Sequence, residues 1–139
     1  MIRLATVEDA EQLFFLNEQF NGKDETILDN VKESLLHNKQ EVVVVSEEKD
    51  ILVGFVCVQI KKSFCYNDIV AEITELFVNE KYRRRKIASE MIEFVETYCM
   101  KNYAIQKFEL LTGKENFEAQ ALYQIKGYYA EDEILFSKR

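Results

Sequence analysis

Ala71-Glu72-Ile73-Thr74-Glu75-Leu76-Phe77-Val78, followed by Asn79-Glu80 and then Lys81-Tyr82-Arg83-Arg84-Arg85-Lys86, is the stretch from which the rest of the chain can be read. Its β-branched and aromatic residues predict a strand over Asp68 to Val78. The helix expected next, Arg85 to Met100, carries Ile87, Met91, Val95 and Tyr98 along one stripe. Ile105 to Thr112 then reads as a further strand, so this part of the chain forms a strand-helix-strand crossover, a connection that lays its two strands parallel.

Working outward, Ile2 to Ala5 reads as a short strand. Thr6, with Asp9 three residues on, caps a helix that runs to about Gln19. Asp24 to His37 is a second helix, with Ile27, Val31 and Leu35 at i, i+4 and i+8. Glu41 to Ser46 holds four consecutive valines, and the polar Glu47-Glu48-Lys49-Asp50 separates it from a strand over Ile51 to Lys61, which makes a hairpin. Beyond the crossover, Glu115 to Lys126 is helical and Tyr128 to Ser137 closes the chain as a sixth strand. The order β-α-α-β-β-β-α-β-α-β defines an α/β (α+β) protein with a mixed, mostly antiparallel six-stranded sheet and helices on both faces.

The chain has 139 residues and no proline, and only Gly22, Gly54, Gly113 and Gly127 are glycines. No linker or repeat interrupts it, so one domain over 1–139 is expected. Apolar residues make up 47% of it and charged residues 31%, which is enough apolar side chain to offset the entropy of ordering. Lysines and arginines number 18 against 25 aspartates and glutamates, and the difference of −7 argues against a general nucleic-acid or anionic-membrane binder. The start, Met1-Ile2-Arg3-Leu4-Ala5, has no secretory h-region, and no apolar run reaches the ~18 residues of a membrane span. A cytoplasmic protein is expected. Cys57, Cys65 and Cys99 show no Cys-x-x-Cys spacing, which points to reduced thiols and no metal site. His37, the single histidine, reads as a polar residue closing a helix, and no nucleophile elbow accompanies it.

Chemistry gathers in two places. Lys81 to Lys86 puts five basic residues in six at the start of a helix. Cations there face the positive end of the helix dipole, which is unfavourable until an anion joins them; amides and basic side chains together then suit a pyrophosphate. A solvated basic turn and a nucleic-acid patch are the other readings of the same residues. The second place is Asn116 to Tyr128, a helix that ends at Gly127. Asn116 and Tyr123 lie seven residues, or about two turns, apart on one face, so Tyr123 is either a proton donor or core.

In order and spacing, these segments resemble the two signature motifs of the GNAT superfamily of acetyl-CoA dependent N-acetyltransferases. The phosphate loop of that family, Arg/Gln-x-x-Gly-x-Gly/Ala, is matched at Arg83 and Ala88, with Lys86 where glycine is expected. The second motif, Asn-x-x-Ala-x-x-Leu-Tyr-x-x-x-Gly-Phe, is met by Asn116, Ala119, Leu122, Tyr123 and Gly127, with Tyr128 for Phe. The order of strands and helices also looks like that fold.

The resemblance implies direct transfer of an acetyl group from acetyl-CoA, a co-substrate, to a primary amine, with no metal and no cysteine acyl intermediate. It assigns cofactor binding to Leu76, Phe77, Val78, Arg83, Arg84, Arg85, Lys86, Ile87, Ala88, Ser89, Asn116 and Tyr123. The N–H of Leu76 would hold the acetyl carbonyl. The family commonly has a bulge in this strand, and one extra residue between Glu72 and Glu75 would bring both onto one face, where either could take the proton of the amine. Tyr123 would then protonate the departing thiolate. A lysine at position 86 either narrows the phosphate loop or adds an ammonium contact, and the second is expected here. The acceptor region, about Phe15 to Leu36, contains Glu18, Asp24, Glu25, Asp29 and Glu33, an acidic rim suited to an aminoglycoside or polyamine, while an amino acid or a protein amine stay open. A non-catalytic acyl-CoA binding or regulatory module of the same fold is the alternative of a different class. An edge strand leaves a homodimer open, and neither nucleic acid nor membrane is an expected partner.

Overall fold

The computed structural model describes residues 1–139. Five strands form one sheet in the order β1-β2-β3-β4-β5: β1 Ile2–Leu4, β2 Glu41–Glu48, β3 Ile51–Lys61, β4 Val70–Val78 and β5 Lys107–Leu110. The first four pair antiparallel and β5 joins β4 in parallel, as the intervening crossover requires. The helices are α1 Ala10–Asn21, α2 Leu28–His37, α3 Ile87–Tyr103 and α4 Phe117–Ile125. No helix is long and apolar enough to cross a membrane.

Each face of the sheet has its own apolar cluster. On one face α3 lays Ile87, Met91, Val95 and Cys99 over Val44, Val53, Val56, Val58 and Ile73 of the strands. On the other, Leu13 and Leu16 of α1 meet Val45, Leu52, Phe55 and Phe77, with Val31 and Leu35 of α2 packed alongside. Full burial of side chains such as Met91 and Val95 stabilises the fold by about 1.5–3 kcal/mol apiece. Helices therefore cover both faces, as the sequence pattern implies.

The first helix is entered as expected from Thr6, whose N–H donates to Asp9 Oδ2 at 2.8 Å, although a 3-10 turn over Val7–Asp9 precedes α1. Asp9 is buried and receives Arg3 through two bonds of 2.8 and 2.9 Å. The guanidinium holds its carboxyl below the usual aspartate range. Arg3 also donates to Glu47 of β2, which fastens the start of the chain to the sheet.

The sixth strand expected over Tyr128 to Ser137 does not form, and the sheet has five strands rather than six. Two features account for this. The pairing of β5 with β4 ends at Ile73 and Leu110, so the edge that would receive a sixth strand is only four residues long. Tyr128 is in addition drawn towards α3 by a hydrogen bond from its hydroxyl to Glu96 Oε2, and the acidic run Glu131-Asp132-Glu133 follows. No backbone hydrogen bond ties residues 129–139 to the sheet, and Ile134, Leu135 and Phe136 stay exposed.

Candidate active site

The expected bulge in β4 is present, at Thr74. Cys57 pairs with Glu75 but Val58 pairs with Ile73, which leaves Thr74 as the extra residue. Its hydroxyl donates to Cys57 O at 3.3 Å. Side chains alternate with period two along a strand, so one extra residue exchanges the faces beyond it. Ala71 and Ile73 before the bulge, and Leu76 and Val78 after it, pack with α3, whereas Phe77 packs with α1. Glu72 and Glu75, opposite Gln59 and Cys57, consequently share the face covered by α1 and α2.

The bulge also marks the point where β4 loses one neighbour. β5 pairs with residues 70–73 only, while β3 continues to Val78. Asn79 N–H donates to Val53 O at 2.7 Å, and in an antiparallel ladder such bonds recur at every second pair. The pairs Phe77/Phe55 and Glu75/Cys57 therefore carry the bonds to β3. Leu76 and Val78 turn their N–H and C=O groups to the opposite edge, where no strand meets them. Val78 O accordingly accepts Arg83 Nε at 3.0 Å. Phe77 differs from its two neighbours, since its backbone belongs to the ladder and its ring lies against Phe20 with centroids 5.1 Å apart.

The two carboxylates on the shared face differ. Glu72 accepts Lys61 Nζ at 3.0 Å, and the same ammonium reaches Glu109 at 3.2 Å, so its charge is met within the sheet. Glu75 has no hydrogen-bond or ion-pair partner. Burial raises its pKa above the usual glutamate value, and the negative charge of Glu41 raises it further. Glu41 is held by Ser34 Oγ and Gln59 Nε2, both at 3.1 Å. The sequence reading did not single out Glu41 or Lys61. Register could have revealed both, because Glu41, Gln59 and Glu72 form one row across β2, β3 and β4, and Lys61 lies two residues beyond Gln59 on the same face, diagonal to Glu72.

Beyond Val78 the chain makes a 3-10 turn over Glu80–Tyr82, then a loop into α3. Lys86, at φ 63° and ψ 17°, is left-handed and serves as the N-cap of α3, and Arg84 also has φ 64°. Position 86 thus has the conformation that glycine adopts most readily, and lysine tolerates it at a cost of about 1–2 kcal/mol. The N–H groups of Ile87, Ala88 and Ser89 open the helix without intrahelical acceptors. Arg83 lies over the Phe77 ring at 5.9 Å and Arg85 over Tyr82 at 5.1 Å, which makes them braces of the loop. Arg84 and Lys86 are exposed and form no ion pair. A left-handed turn with successive free amides and two unpaired cations fits a diphosphate.

The second motif resolves into two helix caps. Asn116 is the N-cap of α4 and its Oδ1 accepts Ala119 N–H at 3.2 Å, which accounts for the asparagine at the start of the motif. At the other end, Gly127 has φ 95°, Gly127 N–H donates to Gln124 O, and Tyr128 N–H donates to Tyr123 O at 3.0 Å. These bonds constitute a Schellman motif, which needs glycine at the left-handed position. Its usual apolar contact is here between the rings of Tyr123 and Tyr128, 6.0 Å apart and edge to face. Burial raises the Tyr123 phenol above its ordinary pKa, so it keeps its proton at neutral pH. A separate cleft of about 280 Å³, lined by Gln12, Phe15, Leu16 and Tyr82 among others, contains none of the motif residues.

A sheet opened at a β4 bulge, with a helix N-terminus at the end of the opened strand, defines an acyltransferase of the GNAT type. The model of the Acetyltransferase (GNAT) family matches residues 5–128, and the chain belongs to that family. No curated relative matches its sequence. Among solved structures, the chain is similar to a possible acetyltransferase from Clostridium difficile 630, at 24% identity and a TM-score of 0.82 over 100% of this chain and 96% of that one. It is similar to an aminoglycoside acetyltransferase from an uncultured soil metagenomic sample, in complex with trehalose, at 18% identity and a TM-score of 0.86, covering 100% and 94%. A third is AAC(6')-Iy bound to the bisubstrate analog CoA-S-monomethyl-acetylneamine, at 21% identity and a TM-score of 0.86, covering 100% and 97%. At these identities the likeness concerns the fold.

Proposed function

We propose that the protein transfers an acetyl group from acetyl-CoA directly to a primary amine of a small polycationic molecule. The observation that carries this reading is the adjacency in β4 of Glu75, an unpaired carboxylate of raised pKa, and Leu76, whose N–H lies at the open edge. Acetyl-CoA supplies the acetyl group as a thioester. Amides at the start of α3, with Arg84 and Lys86, hold the diphosphate, while Arg83 and Arg85 brace the loop. The Leu76 N–H donates to the acetyl oxygen, where negative charge develops during attack.

The acceptor amine, with a solution pKa of about 10, must be neutral to attack. Glu75 takes its proton, directly or through water; Glu72, engaged with Lys61, is the poorer base. Tyr123 gives a proton to the departing thiolate, and Asn116, by capping α4, fixes the helix that carries Tyr123. The left-handed backbone at Lys86 supports an enzyme over a non-catalytic module, since the loop keeps a glycine-like path despite the lysine.

The polycationic acceptor rests on charge. Asp24, Glu25 and Asp29 are exposed on α2 and its approach and pair with no lysine or arginine, and Glu41 and Glu75 lie on the sheet face beneath α2. The aminoglycoside enzymes among the similar structures point the same way. Release of CoA measured side by side with spermine, kanamycin and a peptide amine tests the proposal: turnover of the first two above the third is expected. Preference for the peptide would make this a protein acetyltransferase, and inactivity with all three would remove the reading.

A further inference from the structure

Tyr123 is held by a second tyrosine whose hydroxyl the family pattern, with phenylalanine at that place, does not supply. Tyr128 follows the glycine of the α4 cap. Its N–H is bonded to the carbonyl of Tyr123, and its ring meets the Tyr123 ring edge to face. Its hydroxyl donates to Glu96 Oε2 at 2.6 Å, a bond that spans 32 residues and ends on α3. Lys126, two residues earlier, makes an ion pair with Glu93, one turn before Glu96. The C-terminus of α4 is thus fastened to α3 twice. The same α3 begins at the phosphate loop, so this pair of contacts connects the orientation of the Tyr123 phenol to the element that would hold the cofactor.

Resting on the transferase reading above, we infer that Tyr128, tied to Glu96, is a positioning residue that fixes the Tyr123 phenol for proton transfer to the leaving thiolate. Buttressing through one backbone bond and one ring contact leaves Tyr123 free to tilt with the end of α4, a nine-residue helix with no fully buried side chain. The Glu96 bond removes that freedom. A charge-assisted hydrogen bond in a half-buried site is among the stronger polar contacts, which suits it to hold a short helix end in place. A catalytic donor displaced by even 1 Å loses much of its rate advantage, so orientation alone has a measurable effect.

Tyr128→Phe removes the hydroxyl and keeps the ring and the cap. The expected result is a fall in kcat of about tenfold with the KM for acetyl-CoA changed less than about twofold, because orientation enters the transition state and not cofactor binding. Glu96→Leu should reproduce this fall, while Glu96→Gln, which keeps an acceptor oxygen, should restore most of the rate. In a Tyr123→Phe background, Tyr128→Phe should have no further effect. An unchanged kcat in Tyr128→Phe, or an equal loss with and without the Tyr123 hydroxyl, would overturn the inference. Ring-flip rates of Tyr123 measured by NMR supply a reading independent of turnover: faster flipping in Tyr128→Phe supports the tether and unchanged flipping contradicts it. A wild-type protein inactive with every amine would remove the transferase reading, and the ring measurement would still decide whether Tyr128 holds Tyr123.

Discussion

The two halves of β4 have similar compositions and opposite surroundings. Residues 70–73 lie between β3 and β5, paired on both sides, and the charge of Glu72 is met by Lys61. Residues 75–78 have β3 on one side and no strand on the other, and Glu75 has no partner. One residue, Thr74, separates them. The same glutamate side chain is ion-paired where the sheet is closed and left without a partner where it opens. In the proposed function, these unpaired groups are the ones that meet the acetyl group and the amine.

The largest expected effect comes from removing the carboxylate proposed as the base. Glu75→Gln should lower turnover by about 100-fold or more, the scale of a general base, with the affinity for acetyl-CoA retained. The same change should stabilise the fold. A carboxyl whose folded-state pKa is raised binds its proton more tightly in the native protein, so ionised Glu75 destabilises the native state at neutral pH. The advantage of the glutamine variant should shrink as pH falls through the raised value and vanish below the ordinary glutamate pKa of about 4.3. Denaturant titrations across that range would check this, and a less stable variant at pH 7 would contradict it.

Tyr123→Phe should reduce kcat by about tenfold or more with CoA binding unchanged, as expected for loss of a general acid. Parallel initial-rate and calorimetric measurements separate the two quantities. The β3-paired edge of residues 75–78 is probed through stability instead. A Cβ at Gly54 would come within 2.7 Å of Phe77 O and 3.2 Å of Met91 Cε, so Gly54→Ala must push β3 from β4 or α3. A loss of about 1–3 kcal/mol is expected by chemical denaturation, since overpacked cores lose that much.

Lys61→Met tests whether the paired glutamates are structural. Its ammonium is half exposed, so stability should fall by no more than about 1 kcal/mol and turnover by less than threefold. A large loss of activity would move the base from Glu75 to Glu72. A comparably modest effect is expected of Lys86→Gly, which trades an unpaired ammonium for a relaxed left-handed residue. The affinity for acetyl-CoA should stay within tenfold, or ~1.4 kcal/mol, of wild type in calorimetric titration.

Much of this was legible in the sequence because local pattern and local chemistry agree there. The helix-ending glycine at position 127 is such a place, whereas the bulge at Thr74 is expected only from the family resemblance, and Asn116, expected as a cofactor contact, is the N-cap of α4. Helix ends were less so: α2 starts at Leu28 rather than near Asp24, whose φ of 68° places it in the connection. The terminal strand failed for a different reason. Ile134, Leu135 and Phe136 have strand composition, but a strand needs an edge, and propensity does not show that β5 is four residues long or that Tyr128 turns to α3. Lys61 and Glu41 went unnoticed because their partners are set by register across strands.

In the proposed function, the open half of β4 and the start of α3 form one cofactor cleft. Calorimetric titration with acetyl-CoA and with S-acetylpantetheine, which has the same thioester arm without the diphosphate and the phosphoadenosine beyond it, is the first test. Micromolar binding of acetyl-CoA, and binding of the shortened compound weaker by about 100-fold or ~2.7 kcal/mol, is the predicted result. Equal affinity for the two, or no binding of acetyl-CoA, would contradict the account.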